Sequence, residues 1–268
     1  MTDPNQTNQE NWNQLAESHF RSEFYNVASF KAGKLTLNSL EIQELGDVRG
    51  KSLLHLQCHF GMDTLSWSSL GARVTGVDYA ENAIHLARQL SQETGLPGTF
   101  ICSSVYDLPT VLDEKFDIVF TSGGVLCWLN DLKRWGEVIF HCLKPGGVFY
   151  IVEIHPFASI FRNEKDVTGL EVTYPYFFNP IPENYEAEGS YATSESIHYT
   201  AYEWAHPLSE IIQALLIPGL KLEFLHEFPF AGYQHFPFLV QGEDGFWRLP
   251  QHAESLPMLF SMKATRPA

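Results

Sequence analysis

Residues 51–78, KSLLHLQCHFGMDTLSWSSLGARVTGVD, restrict the available folds more than any other stretch of the chain. Leu53, Leu54 and Leu56 form a short apolar run, as in a strand buried on both faces. A turn over 57–61 follows, and residues 62–70 carry a helical spread of Leu, Trp and Leu that Gly71 ends. Residues 73–77 form the next strand, and Asp78 closes it. A strand–turn–helix–strand unit of this kind puts a nucleotide-like ligand over its first turn. The acid about 20 residues on is within reach of the ribose hydroxyls. Two positions usually filled by glycine in such a turn are Gln57 and His59 here.

With 268 residues the chain is long enough for a full core, read as one domain with additions. No apolar run reaches the 18 or so residues of a membrane span. The N-terminus, MTDPNQTNQENWNQ, is neither a signal nor a transit peptide, so a cytoplasmic location is expected. The net charge of −15 and the lack of a Lys/Arg cluster argue against a nucleic-acid footprint. Cys58, Cys102, Cys127 and Cys142 form no CxxC pair and read as reduced, half-buried thiols, with no metal site.

Strand and helix alternate from residue 51 onward. The helix 81–94 carries Ala83, Ile84, Ala87 and Leu90 on one face and stops at Gly95. Strands are read at 99–102 and 116–122. A helix at 131–143 is broken by Lys144-Pro145-Gly146-Gly147, and a fifth strand spans 148–154. Such repetition implies a parallel sheet covered by helices on both faces. Residues 1–50 form a helical cap with Trp12, Leu15, Ala16 and Phe20 at helical spacing. From about 158 to 206 helical periodicity disappears, and the segment reads as an aromatic-rich lid with short strands. A helix over 207–216, with Pro207 in its first turn, precedes a strand pair at 220–228 and 257–265. A second aromatic-rich excursion joins these strands.

In this order the signals resemble the class I, Rossmann-like S-adenosylmethionine-dependent methyltransferases. Residues 53–61 stand where that family has its first glycine-rich motif, and Gly76-Val77-Asp78 matches its acidic second strand. Residues 116–122, FDIVFTS, match its fourth strand, and Leu143-Lys144-Pro145-Gly146-Gly147 the turn before its fifth. The variant turn HLQCHFG resembles a branch of small-molecule methyltransferases. The resemblance implies a doubly wound α/β fold whose mostly parallel seven-stranded sheet has an antiparallel last strand. Departures from the family pattern fall at His55, where an acid is common, at Gln57 and His59, and at Ser104, where Asp often follows the third strand.

Residue by residue, the resemblance implies an S-adenosylmethionine site formed by Gln57, Cys58, His59, Gly61, Asp78, Tyr79, Ser104, Val105, Tyr106, Ser122 and Gly123. Asp78 would take the ribose; its ordinary alternative is a helix cap. Gly61 would be a ligand-facing turn glycine. Ser104, Val105 and Tyr106 would surround the adenine, with Val105 against its face. His59 would line the methionine end or be a structural histidine, and His55 reads as a satisfied buried histidine or a ligand contact. Gly123 and Gly124 allow close backbone approach, and Leu126 and Trp128 continue that wall or pack the core. Strand alternation puts Glu153 and His155 on one face, which makes His155 the candidate general base. Tyr174, Tyr176, Phe177, Phe178, Tyr199, Tyr202 and Trp204 line the lid or pack within it, while Tyr25 and Phe30 cover the cofactor.

The implied activity is in-line transfer of the sulfonium methyl to a small-molecule acceptor, with a homodimer left open as the assembly. Two alternatives stand beside it. One is a module that binds the cofactor without catalysis, motivated by the irregular first motif. The other is a nicotinamide-dependent oxidoreductase, against which the absence of GxGxxG and the LKPGG turn both argue.

Overall fold

The computed structural model describes residues 3–193, 195–251 and 254–268. Three helices come first: α1 (Pro4–Arg21), α2 (Val27–Lys31) and α3 (Ser39–Leu45). The alternating unit follows as β1 (Ser52–Leu56), α4 (Met62–Ser69), β2 (Arg73–Asp78), α5 (Glu81–Thr94), β3 (Thr99–Cys102), α6 (Leu108–Val111), β4 (Phe116–Thr121), α7 (Leu132–Cys142) and β5 (Leu143–Ile154). The hairpin β6 (Glu183–Glu188) and β7 (His198–Glu203), helix α8 (Leu208–Leu216) and strand β8 (Lys221–Phe228) come next. Two short strands, β9 (Val240–Gln241) and β10 (Trp247–Arg248), precede the final β11 (Leu259–Thr265).

Seven strands form one sheet in the order β3-β2-β1-β4-β5-β11-β8. β1 to β5 run parallel, and β11 is antiparallel to both its neighbours, so the expected antiparallel last strand is present. All five residues of β1 are buried, as its apolar run requires. One side of the sheet packs Val119, Phe149 and Phe260 against Trp135, Ile139 and Ile211 of α7 and α8. On the other side Trp67 of α4 lies against Leu53, Phe120 and Tyr150. α7 and α8 approach so closely that a Cβ on Gly136 would sit 1.8 Å from the carbonyl oxygen of Ala214.

The edge of the sheet where the parallel strands begin is tied by charge. Asp117 accepts from the Ser52 N–H (2.8 Å) and from Lys144 Nζ (2.9 Å). Residues 144–147 do not end an element here. They bulge out of β5, because Leu143 pairs with Phe116 while Val148 already pairs with Ile118. The antiparallel neighbour fills the bulge: Gly146 N–H donates to the Arg266 carbonyl, and Arg266 N–H to that of Gly147. Pro207 is the N-cap of α8, one residue before the position expected for it.

The helical cap and the lid meet through side-chain amides. Asn8, 1% exposed, donates to the Tyr202 carbonyl (2.7 Å) and accepts from its N–H (3.0 Å), and Asn11 donates to the Thr200 carbonyl (2.6 Å). α1 also grips the sheet side, where Gln9 donates to the Tyr79 carbonyl and Asn13 accepts from the Asn82 N–H. The second aromatic excursion packs Phe236, Leu239 and Leu249 against Ala158 and Phe161, forming a small core of its own. Among the described residues, no helix is long and apolar enough to cross a membrane.

Candidate functional site

The parallel strands end beneath α1, and the turn after β1 is the first element of the site. Its backbone is left-handed at Gln57 (φ 55°), His59 (φ 51°) and Gly61 (φ 76°). A left-handed non-glycine residue costs about 1–2 kcal/mol, so two such residues keep a glycine-type turn at real expense. The cost is partly offset by bonds. Cys58 N–H donates to the Val77 carbonyl, and His59 N–H donates to Asp78 Oδ2 at 2.8 Å. Both side chains turn away from the backbone. Gln57 Nε2 donates to the Val125 carbonyl (3.1 Å), while its Oε1 is buried without a partner.

His59 faces the cap. Its Nε2 lies 3.2 Å from His19 Nδ1, and its ring packs against Trp12 and Tyr25. Burial pulls His59 well below the usual imidazole range and His19 down to about 4, so one neutral ring donates to the other. His19 reaches on to Ser190 Oγ of the lid (2.8 Å).

Asp78 sits at the tip of β2, 8% exposed. Its oxygens accept from the N–H groups of His59 and Ala80, yet burial outweighs these bonds and raises the carboxyl to about 6. The N-cap of α5 is Ala80, so Asp78 is not its cap. A cavity of about 420 Å³, which Asp78 itself does not line, is formed by Tyr79, Ser104 and Asp107 together with Asp3, Asn5, Gln6 and Gln9 of α1 and its cap. The Tyr79 hydroxyl is buried without a partner.

Several candidate residues point elsewhere. A Cβ on Gly61 would meet the Phe100 ring at 2.6 Å, so this glycine serves helix–strand packing rather than facing a ligand. Cys58 is buried against Gly76, and burial raises its thiol far above the usual range. Val105 packs with Leu56, Leu108 and Leu126 in the main core. Tyr106 accepts from the Asp131 N–H at its hydroxyl and lies under the Arg134 guanidinium, so its ring belongs to α7. Of the three residues expected around adenine, only Ser104 lines the cavity.

His55 is 1% exposed and held neutral, burial lowering it to about 3. Both ring nitrogens are occupied, Nδ1 with Thr64 Oγ1 (2.8 Å) and Nε2 with Ser122 Oγ (3.1 Å). After Ser122 the chain turns at Gly123 and left-handed Gly124. Glu153 fixes this loop, its carboxylate accepting from the N–H groups of Gly124, Val125, Leu126 and Ile154. The sequence does not mark this role, since three of the four partners lie 27 to 29 residues away.

His155 does not have the environment of a general base. The Phe157 N–H donates to its Nδ1 (3.0 Å), which puts the ring proton on Nε2, where it is donated to Glu227 Oε1 (2.9 Å). Strand alternation fails to place it beside Glu153 because β5 ends at Ile154. Glu153 turns to the β4 loop, while His155 turns to β8. On the lid, Trp204 N–H donates to the Cys127 carbonyl, which brings Glu203 beside the same loop. Phe178 stacks on His206, and Phe177 is 74% exposed. Tyr25 bonds the Tyr191 hydroxyl of the lid, whereas Phe30 is buried under the cap.

Residues 54–151 match the family model described as a methyltransferase domain. A ubiquinone biosynthesis O-methyltransferase of Proteus mirabilis (strain HI4320) is 32% identical over 53% of this chain and 55% of its own length. One from Coxiella burnetii (strain Dugway 5J108-111) is 27% identical over 61% of this chain and 65% of its own. The chain thus spans about half the length of the first of these curated relatives. Among solved structures, a putative S-adenosylmethionine-dependent methyltransferase from Listeria monocytogenes superposes with a TM-score of 0.60. It covers 90% of this chain and 100% of its own at 17% identity. The glycopeptide N-methyltransferase MtfA, complexed with S-adenosylmethionine, gives 0.56 over 87% and 88% at 14% identity. The fold is that of the class I methyltransferases.

Proposed function

We propose that this protein transfers a methyl group from S-adenosylmethionine to a small-molecule acceptor. The observation that carries the reading is the β1 turn. It keeps left-handed backbone at Gln57 and His59, where side chains make that conformation costly, and it closes directly on Asp78. The methyltransferase-domain match over 54–151 and the relatives' shared chemistry support the same reading.

The residues fit the cofactor. Tyr79 and Ser104 border a cavity beside Asp78, where a nucleoside would lie, and Gln57 Oε1 and the Tyr79 hydroxyl are buried polar atoms with bonds still to make. When bound, the cofactor supplies an electrophilic methyl on a sulfonium. The chain's own work is positioning and exclusion of water. Asp78 accepts from ribose hydroxyls with the lone pairs its two backbone bonds leave free. Glu153 holds the Gly123-Gly124 backbone rigid at the edge of the sheet. α1 closes over the site through its amide bonds to β7, and the neutral rings of His19 and His59 put no repelling charge beside a sulfonium. His155, with both nitrogens engaged, takes no proton.

The low identity over half a relative's length leaves the acceptor open as a class: a small molecule enclosed beneath the lid. Four free cysteines are consistent with a reducing, cytoplasmic setting. Isothermal titration with S-adenosylhomocysteine, with NAD as control, tests the proposal. Micromolar binding of the first alone is expected; binding of NAD alone, or of neither, overturns it.

A further inference from the structure

Helix α1 is shared between two surfaces. Asn5, Gln6 and Gln9 form one side of the cavity whose other side is Tyr79, Ser104 and Asp107. Gln9 Nε2 donates to the Tyr79 carbonyl (2.7 Å), and Asn13 Oδ1 accepts from the Asn82 N–H (2.9 Å). Gln6, Gln9 and Asn13 follow one another at spacings of three and four, so they share a face of the helix. Asn8, Asn11, Leu15 and Ser18 repeat such spacings on another face, and this face meets the hairpin. There Asn8 donates to the Tyr202 carbonyl and accepts from its N–H, and Asn11 donates to the Thr200 carbonyl. These bonds cover the edge of β7 that does not pair with β6.

Just past Tyr202 the hairpin docks on the loop after β4, where the Trp204 N–H donates to the Cys127 carbonyl (2.9 Å). One helix therefore joins the cavity wall to the strand that covers this loop. Little apolar burial fixes it in place. Leu15 and Ala16 are its buried apolar side chains, while Trp12 and Phe20 are half-buried. An element held mainly by a few polar bonds opens at low free energy. Each of its two surfaces also has a bond still to make, since the Tyr79 hydroxyl in the cavity wall and the Ser18 hydroxyl on the hairpin face are buried without partners.

Resting on the cofactor reading above, which puts the nucleoside in this cavity, we propose that α1 is a strap that carries cofactor binding to the lid. A nucleoside held between the two walls of the cavity favours the docked position of α1. Asn8 and Asn11 then hold β7 down, and with it Trp204 on the loop after β4. Both asparagines are positioning residues: they bond the lid backbone and do not line the cavity.

Amide hydrogen exchange on the full chain, with and without saturating S-adenosylhomocysteine, tests the strap. In the wild type the ligand is expected to slow exchange in α1 and in residues 198–204 by about 5-fold or more, the lower end for coupled sites. α8 is the reference and should change by less than about twofold, which separates coupling from a general gain in stability. 5′-Methylthioadenosine, which lacks the amino-acid end, should act in the same way, because the cavity takes the nucleoside. In the double variant Asn8→Ala, Asn11→Ala, α1 should keep its slowing while residues 198–204 lose theirs to within about twofold. The tip of the hairpin has its own ties, His19 to Ser190 and Tyr25 to Tyr191, so it is not the readout. Lid slowing retained in this variant overturns the proposal, and so does a wild type that binds ligand and slows α1 alone or neither element. Should the double variant fail to fold, Gln6→Ala with Gln9→Ala cuts the strap at its other end. Both α1 and residues 198–204 should then lose their slowing at saturating ligand, and slowing retained there overturns the proposal equally. A wild type that binds neither ligand refutes the cofactor reading itself, and this proposal falls with it.

Discussion

The sheet and the cover that closes over it are held together in different ways. From β1 to β5 the chain is fixed by backbone ladders and apolar burial, and side chains such as Trp67, Trp135 and Phe120 are entirely enclosed. The cover, made of α1 and the β6–β7 hairpin with the turn between its strands, is joined by side-chain amides, hydroxyls and imidazoles reaching backbone or one another. Asn8 to Tyr202, His19 to Ser190 and Tyr25 to Tyr191 are examples. The difference teaches that the turn after β1 depends on backbone shape, which is kept with Gln57 and His59 in left-handed conformation. The cover over that turn depends instead on specific polar contacts.

The largest effect should come from the packed half. Gly136→Ala sets a methyl against the Ala214 carbonyl at a distance no pair of atoms tolerates, so α7 and α8 must separate. A loss of about 3 kcal/mol or more is expected in urea unfolding, at the upper end for overpacking. A loss below about 1 kcal/mol would mean that the helices slide freely and that the sheet half is no more rigid than its cover.

How far the fold was legible follows from the same contrast. Alternation and period identified all five parallel strands, because β1, β4 and β5 carry apolar runs between turn signals and β2 and β3 follow them at the spacing of strand–helix units. The FD pair and the LKPGG turn were legible too, but what they encode is structural. Asp117 and Lys144 bind each other at the edge away from the site, and the glycines shape a bulge. Site residues were harder to read because a loop position does not reveal its direction. Val105 and Tyr106 follow β3 as expected, yet they turn into the core and onto α7. His155 was extrapolated one residue beyond the ladder that would have oriented it. The helical cap was legible from its apolar residues, but the amides of Asn8 and Asn11, three apart on one face of α1, carried no mark of their bonds to β7.

A smaller effect concerns ligand binding at Asp78, which also ties the turn through the His59 and Ala80 N–H groups. Asp78→Ala should weaken S-adenosylhomocysteine binding by roughly 1–3 kcal/mol, as for lost hydrogen bonds to a charged group. The wild type should also show a pH dependence. Asp78 accepts from hydroxyls on both oxygens only when ionised, and burial raises its carboxyl to about 6. Affinity is therefore full above that pH and declines as pH falls through it, by up to about tenfold per unit. His59, Cys58 and Tyr79, the nearest titratable neighbours, are held neutral in this range by burial and add no charge change. The variant should lose this slope. A wild type with flat affinity from pH 7 to 5 would mean that Asp78 serves the turn alone, through His59 and Ala80.

The smallest effect tests whether the cover is as loosely committed as its bonds suggest. Phe177, 74% exposed, touches Tyr176 edge-on and lies in a run that also exposes Val172 and Ile181. An exposed ring that buries little area contributes little, so Phe177→Ser should shift unfolding by less than about 0.5 kcal/mol. Thermal unfolding at two protein concentrations measures it. A shift of 1 kcal/mol or more that grows with concentration would show that the ring is covered in solution by a second copy of the chain. The cover would then be completed by association. The contrast with the sheet would become one between a half that folds on its own contacts and a half that borrows them.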